Sequence, residues 1–220
     1  MQPDFWLERW RRNEIGFHQP LFNTHLQEYW QQLRLPSGGR IFVPLCGKSR
    51  DLLWLRAQGY SVVGVEISAI ALRDFFSENN LTPQLSHRPP FDHSQVEGID
   101  LLCGDFFELT QSDLAGVTGV YDRAALIALP PPLRERYVAK LVELLPSPVE
   151  ILLVTMEYPQ DQMQGPPFSV TEEEVHALYA AHCQIESLYS KDILGDNPRF
   201  RERGLKYLQE RVYRLHPHAG

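Results

Sequence analysis

The chain has 220 residues, and 43% of them are hydrophobic, which is enough to bury the core of one compact domain. With 21 basic and 28 acidic residues it carries a net charge of −7, which argues against a general binder of nucleic acids or of anionic membranes. Its three cysteines form no CxxC pair, and its first residues are charged. No stretch approaches the roughly 18 apolar residues that span a bilayer. We therefore expect a reduced, cytoplasmic, monomeric protein of one domain (residues 1–220) with a small-molecule partner.

Aromatic residues at roughly helical spacing dominate the first forty residues. They predict a helix that begins near Phe5, a loop at Gly16, and a second helix from Phe22 to Leu33. One interpretation is that these side chains pack into the core. The other is that residues 1–38 form a helical lid, which would cover a flat ligand and exclude water.

The segment from Arg40 to Glu66 is typical of a strand, a turn, a helix and a second strand. Apolar, β-branched runs over 40–43 and 61–65 predict the two strands, and Ser49 is positioned to cap the helix. In open α/β sheets ligands bind beyond the carboxyl ends of the strands, and an acid about 20 residues after a glycine turn accepts hydrogen bonds from ribose hydroxyls. Glu66 follows Gly47 by 19 positions, so we expect it to bind a ribose.

The glycine pattern of this turn disfavours ligands that bind through phosphate. The tripeptide Gly47-Lys48-Ser49 matches the end of a Walker loop, but Phe42 stands where the first glycine of that loop would be. The dinucleotide pattern GxGxxG is also absent, since the turn supplies one glycine. An adenosine ligand without phosphate fits better, and S-adenosylmethionine is the commonest such ligand.

Helices and strands alternate through the rest of the chain, which predicts an α/β fold with a mostly parallel sheet. Helices are predicted over residues 69–78 and from 131 or 132 to 145. Strands are predicted over residues 99–103, 119–121, 150–155, 184–189 and 210–215. The strongly apolar strand at 150–155 is expected at the centre of the sheet, and the last two strands as an antiparallel edge hairpin. The stretch 81–98 is interpreted as an irregular surface insertion.

Six sequence blocks closely resemble those of the bacterial thiopurine S-methyltransferases, in the order of that family and across essentially the whole chain. They are WxxRWxxxEIGFH at 6–18, VPLCGKSRDLLWL at 43–55, GVEIS at 64–68, CGDFF at 103–107, YDRAALIALP at 121–130 and GPPFSV at 165–170. The resemblance implies a Rossmann-like class I methyltransferase fold, with helices on both faces of a mostly parallel central sheet and an antiparallel C-terminal edge hairpin. It also implies S-adenosylmethionine as methyl donor and an aromatic or heterocyclic thiol as acceptor.

The resemblance also assigns residues to the two ligands. The positions that would contact S-adenosylmethionine are Trp10, Leu45, Glu66, Asp105, Phe106 and Arg123, with Asp105 and Phe106 beside the adenine. The positions that would contact the acceptor are Phe17, whose ring would stack on it, and an opposite rim of Pro166, Pro167 and Phe168.

Methyl transfer to a thiol does not require a strong general base, because a sulfonium activates the methyl carbon and heteroaromatic thiols ionise readily. Two residues are candidates to assist. Arg123 would stabilise the developing thiolate or orient the acceptor, and Asp122 would accept a proton. Arg123 is the preferred candidate of the two. The alternative is that Asp122 and Arg123 form an ion pair that only fixes the loop. His18 is expected to contact water or backbone, with contact to the substrate as the alternative. Cys46 is expected to pack in the turn, and no metal site is predicted.

Three functions remain open from the sequence. The first is S-methylation of aromatic or heterocyclic thiols such as thiopurines. The second is methylation of selenium or tellurium species as a detoxifying activity, since the nucleophile chemistry is nearly the same. The third, from another class, is a non-catalytic binder of an adenosine metabolite. A nucleic-acid methyltransferase is disfavoured because the chain is acidic.

Overall fold

The computed structural model describes residues 3–146 and 149–218, which fold around one nine-stranded sheet. The strands are β1 (Arg40–Val43), β2 (Ser61–Glu66), β3 (Gln84–Arg88), β4 (Phe91–Val96), β5 (Ile99–Cys103), β6 (Val117–Arg123), β7 (Glu150–Glu157), β8 (Gln184–Asp192) and β9 (Gln209–His216). The α-helices are α1 (Pro3–Arg11), α2 (Thr24–Tyr29), α3 (Asp51–Ala57), α4 (Ala69–Glu78), α5 (Pro131–Leu144), α6 (Glu172–Tyr179) and α7 (Pro198–Glu202). Short 3-10 helices span Trp30–Gln32, Phe106–Glu108, Leu126–Ala128 and Leu194–Asp196.

The sheet has the order β3-β4-β5-β2-β1-β6-β7-β9-β8. Its five central strands, from β5 to β7, are all parallel, and an antiparallel hairpin extends each edge. The predicted mostly parallel sheet with a C-terminal edge hairpin is therefore confirmed. Because β1, β2, β5 and β6 run in the same direction, their carboxyl ends meet at one edge of the molecule.

Helices cover both faces of this sheet, as predicted. On one face, α5 and α6 bury Tyr137, Leu141 and Val175 against the sheet. On the other, α3 and α4 bury residues such as Leu52 and Phe75. Burial on both faces explains why the central strands are continuous apolar runs.

Three predictions about elements were wrong. Residues 84–96 form the hairpin of β3 and β4, rather than an irregular insertion. Strand β7 is the third strand from one edge, because β9 and β8 lie outside it, so it is not the centre of the sheet. Ser49 is not the cap of α3: Arg50 is the N-cap residue, and the Ser49 hydroxyl only accepts a hydrogen bond from the Asp51 N–H at 3.2 Å.

The N-terminal forty residues divide into two parts. Leu26, Trp30 and Leu33 are almost fully buried in the same core cluster as α3 and α4, so residues 24–33 are a core element. Residues 3–22 lie before this anchor, and residues 1 and 2 of the predicted lid are outside the described part of the chain. The lid hypothesis is thereby narrowed to the segment 3–22, which we call the N-terminal segment.

Candidate active site

A cavity of about 450 Å³ opens at the carboxyl ends of the parallel strands. Its walls come from the N-terminal segment, the ends of β1, β2, β6 and β7, the loop before α6, and the connection between β8 and β9. The sequence-predicted site residues that line it are Trp10, Phe17, Leu45, Glu66, Arg123, Pro166 and Pro167. Four others do not line it: Asp105, Phe106, Asp122 and Phe168.

Glu66 ends β2 with its carboxylate almost completely buried. One oxygen, Oε2, accepts a hydrogen bond from the Gly47 N–H at 2.9 Å, and Oε1 accepts one from the Ser68 N–H at 2.8 Å. Burial raises the pKa of this carboxyl to about 7, although the backbone N–H groups oppose the rise. Each oxygen retains a further lone pair, so the group can accept two hydroxyl hydrogen bonds from the cavity side.

Two strand ends at the cavity have strained backbone. Leu45, after β1, has φ of 45°, and Ala124, after β6, has φ of 67°. Both are non-glycine residues in the left-handed region, and both line the cavity. Such conformations cost free energy and collect at ligand sites, where surrounding structure holds them. The backbone that follows the adjacent strands β1 and β6 therefore lines the same cavity.

Three aromatic rings of the N-terminal segment form one wall of the cavity. Phe17 packs edge-to-face against both Trp6 and Trp10, with ring centroids 5.6 Å apart in each case. Trp10 is buried, and its ring also lies against Gly47, where an added Cβ would come within 3.3 Å of the indole. These contacts couple the N-terminal segment to the turn that holds Glu66.

The neighbours Asp122 and Arg123, at the end of β6, occupy different environments. Arg123 is half-buried and lines the cavity. Asp122 is fully buried on the other side of the strand, where Tyr137 donates its hydroxyl hydrogen bond at 2.6 Å and Leu126 its N–H at 3.2 Å. Burial raises the pKa of Asp122 to about 6. Because side chains alternate along a strand, the two groups do not share the cavity.

Asp105 and Phe106 lie after β5, beyond the cavity wall. The Asp105 carboxylate accepts a hydrogen bond from the Phe107 N–H at 2.9 Å and caps the short helix there. The Phe106 ring is buried against Phe42 and Tyr137. The predicted adenine neighbours are therefore fixed side chains beside the strand ends, and they are not part of the cavity lining.

The loop before α6 contributes its two prolines to the cavity but not its phenylalanine. The Phe168 N–H donates to the Ile127 carbonyl at 2.7 Å, and the ring lies under Arg134, with the guanidinium carbon 5.9 Å from its centroid. Phe168 thus belongs to the support behind Pro166 and Pro167.

Sequence reasoning missed the contribution of the connection between β8 and β9. This connection brings Pro198, Arg199, Phe200 and Arg203 to the cavity, and the Arg199 guanidinium lies against Gly16 of the N-terminal segment. The aromatic and basic composition of residues 198–203 was the available signal, but nothing local indicates which end of the sheet they reach.

Two further polar side chains, His18 and Lys48, line the cavity. Lys48 is paired with Glu78 at 2.6 Å. Burial and the nearby Lys48 charge lower the pKa of His18, which favours a neutral imidazole. Among the described residues, no group of three or more His, Cys, Asp or Glu side chains is arranged to hold a metal ion. None of the described helices has the length and apolar character to cross a membrane.

Comparisons of the sequence with known proteins identify the family. A family model described as thiopurine S-methyltransferase matches residues 1–218. The thiopurine S-methyltransferases of Nitrosospira multiformis and Pseudomonas fluorescens (strain Pf0-1) are each 50% identical over 215 residues, covering 98% of this chain and 98% and 99% of their own lengths.

Solved structures agree on the fold. A SAM-dependent methyltransferase from Anabaena variabilis superposes with a TM-score of 0.64 at 13% identity, over 98% of this chain and 95% of its own. The 1,6-didemethyltoxoflavin-N1-methyltransferase of Burkholderia thailandensis, solved with S-adenosylhomocysteine, gives 0.60 at 15% identity, over 97% and 87%. The fold is therefore Rossmann-like, and the full-length match at 50% identity shows that the chain belongs to the thiopurine S-methyltransferase family.

Proposed function

We propose that this protein transfers the methyl group of S-adenosylmethionine to the sulfur of aromatic and heterocyclic thiols, such as thiopurines. Its full-length membership of the thiopurine S-methyltransferase family is the observation that carries this proposal. The cavity at the strand ends supports it, because this is where open α/β sheets bind their ligands.

The donor half of the proposed site consists of Glu66, Leu45 and Trp10. The buried Glu66 carboxylate has free lone pairs for a ribose diol, and its neighbour Gly47 leaves room beside the Trp10 indole that a side chain would fill. Asp105 and Phe106 would face the adenine only after local rearrangement, since the cavity lining does not include them. These residues fit an adenosine ligand that lacks phosphate.

The proposed acceptor half consists of Phe17, Pro166 and Pro167, which line the same cavity, with Phe168 supporting the prolines from behind. Their flat apolar surfaces suit an aromatic ring. Arg123 supplies the polar group in this half. A planar guanidinium can pair with a thiolate or with ring nitrogens of the acceptor.

The chemistry follows from this arrangement. When bound, S-adenosylmethionine supplies a methyl carbon activated by a positively charged sulfur. The chain's residues hold the thiol in line, exclude water with the aromatic wall, and stabilise the thiolate through Arg123. We assign no proton-transfer role to Asp122, because its buried carboxylate is engaged by Tyr137 and Leu126.

We further propose that the protein works as a cytoplasmic monomer on small molecules, without a metal ion and without binding nucleic acids or membranes. The net charge of −7 supports the proposal that it does not bind nucleic acids or membranes. The lack of a CxxC pair in the sequence supports a reducing, cytoplasmic location. Size-exclusion chromatography with light scattering tests the monomer, and activity after chelation tests the metal.

The proposed function is tested with labelled S-adenosylmethionine and three acceptors, 6-mercaptopurine, selenite and a phenol of similar size. Transfer to the thiol but not to the phenol is the expected result. Methylation of selenite without methylation of 6-mercaptopurine would indicate that the substrates are soft inorganic species. Donor binding without transfer to any acceptor would overturn the proposal in favour of a non-catalytic binder.

A further inference from the structure

Arg134 is a buried cation that the proposed chemistry does not use. It lies in the first turns of α5, its side chain is completely buried, and it does not line the cavity. Burying a guanidinium costs free energy unless its donors are satisfied. One of its terminal nitrogens, Nη2, has no hydrogen-bond partner among the described residues. The free-energy cost of burying this guanidinium indicates a role for Arg134 beyond packing.

Arg134 contacts three separate elements, two of them through its remaining donors and the third through a cation–π contact. Its Nε donates to the Leu129 carbonyl at 2.8 Å, in the loop that follows β6. Its Nη1 lies 2.6 Å from each carboxylate oxygen of Glu174, at the beginning of α6. The guanidinium carbon lies over the Phe168 ring, 5.9 Å from the ring centroid. A rigid planar cation with several donors suits this role better than a flexible ammonium.

Two of these elements form one continuous side of the cavity. Ala124, Ile127 and Ala128 line it from the loop after β6, and Pro166 and Pro167 line it from the loop before α6. We call these five residues the acceptor wall. The hydrogen bond from the Phe168 N–H to the Ile127 carbonyl, 2.7 Å long, joins the two loops directly. Arg134 lies immediately behind both of them.

We infer that Arg134 is a positioning residue that sets the distance between the two loops of the acceptor wall, and so orients the thiol toward the donor. This inference rests on the proposed function and adds a residue that acts through the wall without contacting either ligand. Misplacing a reactant by about 1 Å costs up to about 100-fold in rate, so a small shift of the wall would be measurable.

The test compares Arg134→Lys with a matched control. Lysine keeps the charge but replaces with one nitrogen the two nitrogens that contact Leu129 and Glu174. The control is Arg214→Lys, because Arg214 and Glu150 form another largely buried pair, with two contacts of 2.7 and 2.8 Å, and do not line the cavity. Glu174→Gln serves as a milder second variant, since the Glu174 side chain is partly exposed.

The expected kinetic result is a loss of about 100-fold in kcat/KM for 6-mercaptopurine in Arg134→Lys, with the Kd for S-adenosylhomocysteine within about twofold of the wild type. Glu174→Gln should lose less, and Arg214→Lys should lose thermal stability without a change in either constant. Equal kcat/KM in the two lysine variants would overturn the inference. So would a parallel weakening of donor binding, because that would indicate general loosening.

Hydrogen exchange at the Phe168 amide provides a readout that does not depend on turnover. We expect faster exchange of this amide in Arg134→Lys and unchanged exchange in Arg214→Lys, because the amide reports the bond between the loops. Unchanged exchange in both variants would contradict the positioning role. Failure of the proposed function is recognised separately, by the absence of thiol methylation in the wild-type protein.

Discussion

At the scale of single residues, Glu66 is subject to two opposing influences. Burial favours its neutral form, while the Gly47 and Ser68 N–H groups favour the carboxylate. The outcome is a pKa of about 7, so the group is half-ionised near neutral pH. A ligand that donates two hydroxyls to it prefers the charged form and lowers this pKa on binding. Ligand affinity is therefore linked to pH.

Adenosine tests this linkage, because its ribose is the proposed partner and it has no group that titrates near pH 7. Affinity should rise with pH, and the Kd at pH 6 should be about ten times that at pH 8, the ratio of ionised carboxyl for a pKa of about 7. Glu66→Gln should bind about 1–3 kcal/mol more weakly, with no such slope. Glu97→Gln, which changes an exposed carboxyl in the turn between β4 and β5 and outside the cavity, should keep the slope. Calorimetry at several pH values measures both, and equal slopes in Glu66→Gln and wild type would contradict the ribose assignment.

Asp122 and Arg123 provide a second test at this scale. Removing a cavity-lining donor in Arg123→Met should lower kcat for thiol methylation by about 10²–10³. Asp122→Asn should instead lose about 1–3 kcal/mol of unfolding free energy, because the amide no longer matches both of its donors. Single-turnover kinetics and urea unfolding separate the two effects. A large kcat loss in Asp122→Asn at full stability would restore its catalytic role.

The pH dependence of the Asp122 effect has a defined sign. Burial raises the pKa of Asp122 from 3.8 to about 6, so the folded state favours the protonated acid. The resulting stability is fully present below pH 3.8 and is lost as the pH rises through 6. The deficit of Asp122→Asn relative to the wild type should therefore shrink between pH 5 and pH 8.

At the scale of elements, the N-terminal segment is anchored where it joins the core. The buried Asp51 carboxylate accepts the Asn23 N–H at 2.8 Å and the Tyr121 hydroxyl at 3.1 Å. Arg50 donates to the Pro20 carbonyl at 3.0 Å. Upstream of this anchor, the Trp10 indole lies against the turn at Gly47, and the Phe17 ring packs on Trp10. Such an arrangement suits a segment that closes over a bound donor.

Limited proteolysis tests that closure. Trypsin should cleave after Arg11 and Arg12, which are 60% and 65% exposed, more slowly when S-adenosylhomocysteine is bound. Cleavage after Arg73, an exposed residue of α4, serves as the internal reference and should not change. Equal rates at Arg11 and Arg12 with and without the ligand would argue against a lid.

The accuracy of the sequence predictions depended on burial. The apolar strands β1, β2, β5 and β7 were found because both faces of the central sheet are covered. Strand β3 was missed because all five of its residues are exposed. Its sequence, QLSHR, therefore lacks the apolar positions that mark a strand packed against a core. The position of β7 was wrong because the order of strands depends on where β9 inserts, which is a long-range pairing.

The same distinction applies to the site. Glu66 could be inferred from the local order of strand, turn and acid, whereas Leu45 was assigned only through the family resemblance. The burial of Asp122 away from Arg123 required knowledge of which face of β6 meets α5. Arg199 and Arg203 reach the cavity only because β8 and β9 pair along the edge of the sheet.

At the scale of the whole molecule, charge is unevenly distributed. The chain carries a net charge of −7, yet five basic side chains line the cavity against two acidic ones. The basic residues are Arg9, Lys48, Arg123, Arg199 and Arg203, and the acidic ones are Glu66 and Glu210. A cleft of one sign raises the local concentration of ligands of the opposite sign. Thiolates should therefore be attracted to an otherwise acidic protein.

Salt dependence tests this attraction. For a thiol that is ionised at the assay pH, kcat/KM should fall severalfold between about 20 and 200 mM KCl, as the Debye length shortens. Arg199→Gln should reduce this dependence because it removes a cavity charge. Arg73→Gln makes the same change in net charge on an exposed helix face and should not. Identical salt slopes in both variants would contradict steering by the cavity.

The division of the cavity between strand ends and added segments has an evolutionary consequence. The proposed donor contacts at Leu45 and Glu66 belong to the sheet, where a substitution disturbs strained backbone and buried hydrogen bonds. The proposed acceptor contacts belong to two segments appended to that framework, Phe17 to the N-terminal segment and Pro166 and Pro167 to the loop before α6. Mutation can therefore alter the range of acceptors through these two segments while methyl-donor binding stays under purifying selection. Relatives should diverge fastest in acceptor preference and slowest at the ends of β1 and β2.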